Sequence, residues 1–433
     1  MNLRIGTLSL SSGFRSWLMT FEPGSEPRAT EEVGLRADLN LVGTREEIEI
    51  TVETINRQLE QAIRAQEDRA IDKVYIEANT GSGWMRSEIV DGVLEVDTKY
   101  YDRLNRNHVP ASLLITRKNW WEGAEIALPI GNANGADPAK VFNCNDGTGN
   151  VPNKMTNAAY VTSNIIEGSM PTPVRLEVVN GYTKSLGALW VGLNRTRPDW
   201  QSGWMIEAES AIGVTPYPTT GASGGAIAKG TQIYGSAPQP ILRWGLSESL
   251  VSMMRGQRIR LLLRPYFLGN YSMFKYRLRI GLGAITVYET DWIRPPANYA
   301  RHWLDMFDVR IPPWLEGETN LEGLTMELWA TPTRSGTWTW AFDDVMLLAQ
   351  DGFVALDTYT ESGGKVVIDG DHGWSEDAAG KKSGLRKFVG SLELMPRAFH
   401  LFCFAIHTGF GDDAPIDQMV EVRGFYRPRR LTL

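Results

Sequence analysis

The chain has 433 residues, which at ~150 residues per domain allows about three domains and a large buried core. Hydrophobic residues are 42% and charged residues 22%, a globular composition that excludes a disordered chain. The 44 basic and 51 acidic residues leave a net charge of −7, against duplex nucleic acid as the main partner. Two cysteines, Cys144 and Cys403, with five histidines exclude a disulfide framework and a Cys- or His-rich metal centre. The start, MNLRIGTLSLSSGF, is broken by Ser and Thr and reads as a strand, not as an export leader. No run reaches the ~18 apolar residues of a membrane span. The expectation is a soluble chain without a membrane anchor, made in a reducing cytoplasm.

In chain order, Val33, Leu35, Ala37, Leu39 and Leu41 alternate with polar or small residues, the period of a half-buried strand. Gly43 ends it. Thr44-Arg-Glu-Glu47 then forms a capping box, and Ile48, Val52, Ile55, Leu59, Ala62 and Ile63 follow at helical spacing. This predicts one amphipathic helix over about 45–69. Strand-like runs resume at 74–78, 89–96 and 111–117.

From Trp120 onward no comparable helix is predicted. Short apolar or alternating runs at 174–179, 187–193, 259–263, 276–280, 284–288, 325–330 and 337–342 are separated by turn formers such as Asn180-Gly181, Pro312-Pro313 and Gly363-Gly364. With 43 Gly, 22 Pro and 15 Trp, the predicted fold class is mainly β: a sheet structure with one long helix, then β-sandwiches. The Gly- and Ala-rich stretch 219–230 reads as a surface loop. The stretches 131–157 and 213–240 read as loops long enough to serve as subunit arms.

Chemistry-bearing constellations are few. Paired acids occur at Asp343-Asp344, Asp412-Asp413, and Asp369-Gly-Asp371 with Glu376-Asp377. A glycosidase needs two carboxyls ~5–9.5 Å apart across a cleft. Neighbouring Asp residues on a strand point to opposite faces, so these pairs read as solvated turns. Cys403 lies in the strand-like Leu401–Ile406 and reads as a small buried hydrophobe, with His400 and His407 on opposite faces; Cys144 lies in a turn-rich loop. Gly221-Ala-Ser-Gly-Gly lacks the strand, helix and Lys of a phosphate loop. Trp338 and Trp340 share one strand face, so they either stack on a sugar or fill the core, and the core is favoured. Trp120 and Trp121 point to opposite sides. The basic end, Arg423 with Tyr426-Arg-Pro-Arg-Arg430, reads as a solvated or subunit-contacting strand more than as a nucleic-acid arm. No catalytic residue, metal ligand, cofactor or sugar-binding residue is assigned, and no enzyme activity is expected.

Several stretches carry a resemblance. They are Arg86–Val96, then Ala111-Ser-Leu-Leu-Ile-Thr-Arg-Lys-Asn-Trp-Trp-Glu-Gly123, Leu128-Pro-Ile-Gly-Asn-Ala-Asn-Gly, and Asn164-Ile-Ile-Glu-Gly-Ser-Met-Pro-Thr-Pro. Asp344-Val-Met-Leu-Leu-Ala, Leu392-Glu-Leu-Met-Pro and Tyr426-Arg-Pro-Arg-Arg follow near the end. In this order they resemble distal or minor tail proteins of long-tailed (siphovirus-type) bacteriophages. The resemblance implies a tail-tube-like domain over 1–124, a β-sandwich from 125–200 plus 348–433, and an inserted domain over 201–347. That insert, with Glu207-Ala-Glu, Arg243-Trp-Gly and Ala341-Phe-Asp-Asp344, looks like a galactose-binding jelly roll of the kind found in carbohydrate-binding modules. The resemblance further implies a structural protein of the virion tail, assembled in the host cytoplasm. It would form a ring, a hexamer in preference to a trimer, between tail tube and tail-tip hub, with DNA only as passing cargo. The alternative it leaves is a host-adhesion protein that binds a surface glycan through the jelly roll.

Overall fold

In the computed structural model the described residues are all except 1, 7, 11–15, 23–26, 30–31, 69–70, 82, 98–107, 132–138, 143–157, 163, 195–204, 221, 247–250, 252–257, 267–268, 296–302, 311–322, 350–351, 386, 390–391, 409–418 and 433. Cys144, Asp412 and Asp413 lie outside them, as does most of 131–157. The fold is mainly β with one α-helix among the described residues. It divides into two compact units. The first takes 1–126, 166–172 and 426–433, and the second takes 127–165 and 173–425.

The first unit is a ten-stranded antiparallel sheet with helix α1, Arg45–Glu67, laid on it. The predicted alternating strand is Glu32–Val42, with its odd-numbered residues from Val33 to Leu41 buried. Both halves of the capping box form: Glu47 N–H donates to the Thr44 hydroxyl, and Thr44 N–H donates to Glu47 Oε2 at 2.9 Å. Ile48, Ile55, Leu59 and Ala62 are buried on the inner face of α1. At Gly92 a Cβ would stand 2.9 Å from Leu59 and 2.7 Å from Ile115, so glycine there lets the helix approach the strand Trp84–Val96. Trp121 fills the same core, while Trp120 points elsewhere and lies under Arg429.

The second unit holds four sheets. The eight- and five-stranded sheets draw on strands between Ile126 and Asn194 and between Phe353 and Tyr426. The six- and four-stranded sheets use only strands between Met205 and Ala349. One hydrophobic core runs through the six-, four- and five-stranded sheets, from Trp190 and Ala405 to Leu261, Phe342 and Leu328.

Two loop expectations are overturned here. Within 213–240 the chain forms the strand Ala226–Ile233, paired with Thr337–Ala349, and in 219–230 the residues Ala222, Ser223, Ile227 and Ala228 are fully buried. The small residues are there for packing. Gly230 lies opposite Trp340, whose indole ring a Cβ would meet at 2.3 Å.

Candidate functional site

The strand Thr337–Ala349 crosses the six-stranded sheet as an almost unbroken apolar run, interrupted by Asp343 and Asp344. Its neighbour Arg258–Pro265 carries the buried run Leu261-Leu-Leu263, which ends at the buried Arg264. The register between the two jumps at this point: Leu263 faces Val345, and Pro265 faces Phe342. Two residues therefore oppose one, which is a β-bulge, and the bulge suspends the alternation of faces. Arg264 Nη2 reaches Asp343 Oδ2 at 2.8 Å and Asp344 Oδ2 at 2.5 Å. The expectation that adjacent aspartates diverge into a solvated turn is thus wrong on both counts. Both are fully buried, and both meet the same guanidinium.

Three further elements close the site. The strand Met205–Glu207 pairs with the same bulged strand and sets Glu207 opposite Asp344. The turn Ala208–Ser210 follows and carries Glu209. The turn Ser223–Gly225 donates Ser223 N–H to Asp343 Oδ1 and the Ser223 hydroxyl to Glu207 Oε1, each at 2.9 Å. Gly224 has φ 61°, and a Cβ on it would stand 2.9 Å from Glu209 Oε1, so glycine is needed for both its backbone and its space. Trp303 stacks on Arg264 from its other side, 5.4 Å from ring centroid to guanidinium.

One arginine thus sits among four carboxyl groups. Oxygens of Glu207, Asp343 and Asp344 lie within 4.8 Å of one another. Burial pushes the carboxyls of Asp343 and Asp344 well above their usual range, Arg264 pulling them back only in part. Burial, with Glu207 and Asp343 nearby, raises Glu209 to about 8 against the pull of its own backbone hydrogen bond and Arg264. Asp344 Oδ1 and Glu209 Oε2 accept no hydrogen bond among the described residues. Such a set is stable in two ways: it keeps protons, or it takes more positive charge. All-oxygen donors suit a hard cation such as calcium, which takes six to eight oxygens at about 2.3–2.6 Å. A cation there would compete with Arg264. Counts of Cys and His do not register an all-carboxylate set such as this one.

The other candidates fall out as follows. Asp369 accepts hydrogen bonds from Asp371 N–H, His372 N–H and His372 Nδ1, closing a partly buried turn and not a solvated one. Burial acts against it, but the His372 and backbone bonds hold its carboxyl below the ordinary range. Asp377 closes another turn through Ala379 N–H and Lys381 N–H, away from any buried acid pair. Cys403 is buried, and burial pushes its thiol far up. Trp340 belongs to the core, with Trp338 packed partly against it. The basic end is divided: Arg423 and Arg430 are exposed, whereas Arg429 is buried and bonded to Glu122 Oε1 at 2.9 Å, and Arg427 donates to Gly123 O.

No known family model matches the chain, and no curated protein matches it in sequence. Among solved structures it is similar to an exo-β-1,3-galactanase from Phanerochaete chrysosporium at 11% identity and a TM-score of 0.21. That match covers 65% of this chain and 66% of the galactanase chain, just under two thirds of its length. The VP2 subviral particle of infectious bursal disease virus matches at 9% identity over 71% of this chain and 78% of that one, TM-score 0.18. PNGF-II matches at 5% identity over 80% and 97%, TM-score 0.20. Similarity at this level identifies no relative. No helix among the described residues is long and apolar enough to cross a membrane.

Proposed function

We propose that the chain is a structural component of a bacteriophage tail, a ring-forming subunit of the distal-tail type, and not an enzyme. The observation that supports this reading best is the make-up of the first unit: one long capped helix on a wide antiparallel sheet. Among the described residues that sheet is open, with Leu8–Ser9 at one edge and Ser16–Glu22 at the other. Open edges are an aggregation risk unless another chain pairs with them, and a closed ring does so. The acids also argue for a structural role. Asp343 and Asp344 are fully buried and share one arginine, whereas hydrolysis of a glycosidic bond needs two carboxyls facing a substrate across a cleft. In this reading the ring is a hexamer in preference to a trimer, sits in the virion between tail tube and tip, and passes DNA without gripping it. The alternative of glycan stacking on Trp338 and Trp340 loses its platform, because Trp340 is a core residue.

Solution mass with negative-stain imaging of the full-length protein tests the proposal. Rings of six or three subunits with a central hole are the expected result. A monomer at every concentration, also in the presence of a tail-tube partner, would overturn it.

A further inference from the structure

Two stretches of the second unit present apolar side chains to solvent without a charge beside them. No charged residue stands between Lys229 and Arg243, nor between Arg279 and Glu289, in a chain that is 22% charged. The first stretch joins the strand Ala226–Ile233 to the strand Gln239–Gly245 and is exposed from Ile233 to Pro240. Ile233 is 62% and Tyr234 51% exposed. Its backbone is fixed. Ser236 N–H and the Ser236 hydroxyl both donate to Ile233 O, at 3.2 and 2.6 Å, and Tyr234 N–H donates to Gly336 O at 2.9 Å. Gly235 supplies the φ of 84° that the turn needs. A preformed turn thus holds two large apolar side chains out in water, and covering them costs little further ordering.

The second stretch is the hairpin of Phe274–Leu282 with Ile285–Glu289. Ile285 is 66% exposed, and Gly283 and Ala284 at the tip are exposed with it. Among the described residues Ile285–Glu289 pairs only with Phe274–Leu282, so its outer edge is open. The unit treats another open edge differently. Lys382–Gly384 ends the eight-stranded sheet and is exposed throughout, with Lys381 and Lys382 on it. Lysine on an edge keeps a second strand away. The run from Ile285 to Tyr288 carries no such guard.

The sheet sets the two patches far apart. Across the four-stranded sheet Gln239–Gly245 is the first strand and Ile285–Glu289 the last, which at the usual strand spacing is about 14 Å. Gln239 lies level with Ala330 and Tyr276, whereas Ile285 lies level with Leu282 and Leu324. From Tyr276 to Leu282 the strand advances about 20 Å. The patches therefore occupy diagonally opposite corners of one sheet, about 24 Å apart.

We propose that the turn Ile233–Pro240 of one copy packs on the open edge at Ile285 of the next copy, a head-to-tail contact between second units. A second copy of this chain is the occupant for three reasons. Every copy brings both patches. Neither patch offers a charge for a charged partner to meet. The diagonal separation keeps a copy from covering its own edge with its own turn. Two unlike patches on opposite corners make a heterologous contact, which closes into a ring or runs on as a filament. Closure rests on the ring reading proposed above, and the contact itself does not.

Cross-linking of the full-length protein tests this. Cys144→Ser removes one native thiol, and Cys403 is buried. On that background Tyr234→Cys and Ile285→Cys are made singly, co-expressed as singles, and combined in one chain, then treated with a flexible bis-maleimide. Neither single variant should cross-link to itself. The co-expressed singles should give dimers only, because each chain then has one reactive end. The double variant should give a ladder that stops at the ring order. Adding Ile233→Asp to it should lower the cross-linked fraction severalfold, since a charge is then buried in an apolar contact. All these positions are exposed, so the melting temperature should stay native, which separates a lost contact from a lost fold. Self-cross-linking of either single variant would show a like-to-like contact and overturn the proposal, as would a double variant that gives no ladder. Rings seen by negative stain without a ladder would overturn this contact and leave the ring reading standing. A ladder without rings would support the contact and overturn the ring.

Discussion

In the first unit the buried carboxylate of Glu122 is held by two arginines. Arg86 engages Oε2 through two nitrogens at 3.1 and 3.2 Å, and Arg429 engages Oε1 through two at 2.8 and 2.9 Å. In the second unit the proportion is reversed among the described residues, with one arginine, Arg264, beside Asp343, Asp344, Glu207 and Glu209. Both sites bury charge beside a tryptophan, Trp120 under Arg429 and Trp303 beside Arg264. The difference lies in how the acids are served. Glu122 has two-pronged partners on each oxygen, a geometry that repays part of the cost of desolvation. The second cluster has more acid than base and answers by keeping protons. The first site therefore staples chain segments distant in sequence, while the second ties the stability of its unit to pH.

Removing the lone arginine breaks the comparison most sharply. Arg264→Leu leaves the buried acids without their counter-charge and should destabilise the second unit by about 3–5 kcal/mol, the scale for breaking a buried pair. Hydrogen exchange resolved by peptide should place the loss at 205–210, 222–228 and 341–348 and spare α1. Millimolar calcium should return part of the stability, since four hard oxygen donors are left. A uniform loss in both units would contradict this division.

The intact cluster should show a smaller effect of the same origin when pH is varied. Glu209 is raised to about 8, and Asp343 and Asp344 are raised by burial. Unfolded carboxyls release their protons near pH 4. Between there and about pH 8 the folded cluster binds protons that the unfolded chain has given up, so its contribution to stability is greatest at the acid end and is lost as pH rises. Denaturant midpoints of the second unit should fall from pH 5 to pH 8. The deficit of Arg264→Leu should widen over the same range.

Glu122→Gln probes the other side. It leaves Arg86 and Arg429 with a neutral partner, at a cost of about 1.5–3 kcal/mol, the worth of a hydrogen bond to a charged group. The loss should appear as faster exchange at 121–123 and 427–430, with the second unit unchanged.

These two sites also show where sequence reading succeeds and where it stops. Helix α1 and the strand Glu32–Val42 are written in local signals, a Thr44–Glu47 box and an uninterrupted alternation, and both form as read. The carboxylate cluster is not local. Glu207 and Asp344 meet only through strand pairing, and the parity rule that separates adjacent aspartates fails at a bulge visible only in the register. The available hint was chemical: ionisable residues inside apolar strands, Arg264 after three leucines and Asp343-Asp344 before Val345-Met-Leu-Leu, need each other as partners. Composition misled at 219–230, where small residues make room for Trp340 and bring Ser223 to Asp343. At Arg429 a basic run looked free because Glu122 is so distant in sequence.

The smallest effect comes from the most legible feature. Thr44 closes the N-terminus of α1 by accepting from Glu47 N–H, while Glu47 returns a bond to Thr44 N–H. Thr44→Ala removes the first of these and leaves an unpaired backbone donor at a solvent-exposed helix end. The expected cost is about 1 kcal/mol. Because water replaces the hydroxyl there, the loss should be nearly independent of pH between 5 and 8, unlike that of Arg264→Leu. It should appear in the first turn of α1, with the inner face at Ile55 and Leu59 keeping its protection. Denaturation of the variant at the two pH values, with exchange measured over 44–52, checks both statements. Equal pH sensitivity in Thr44→Ala and Arg264→Leu would show that the response belongs to the whole chain and not to the acid-rich cluster.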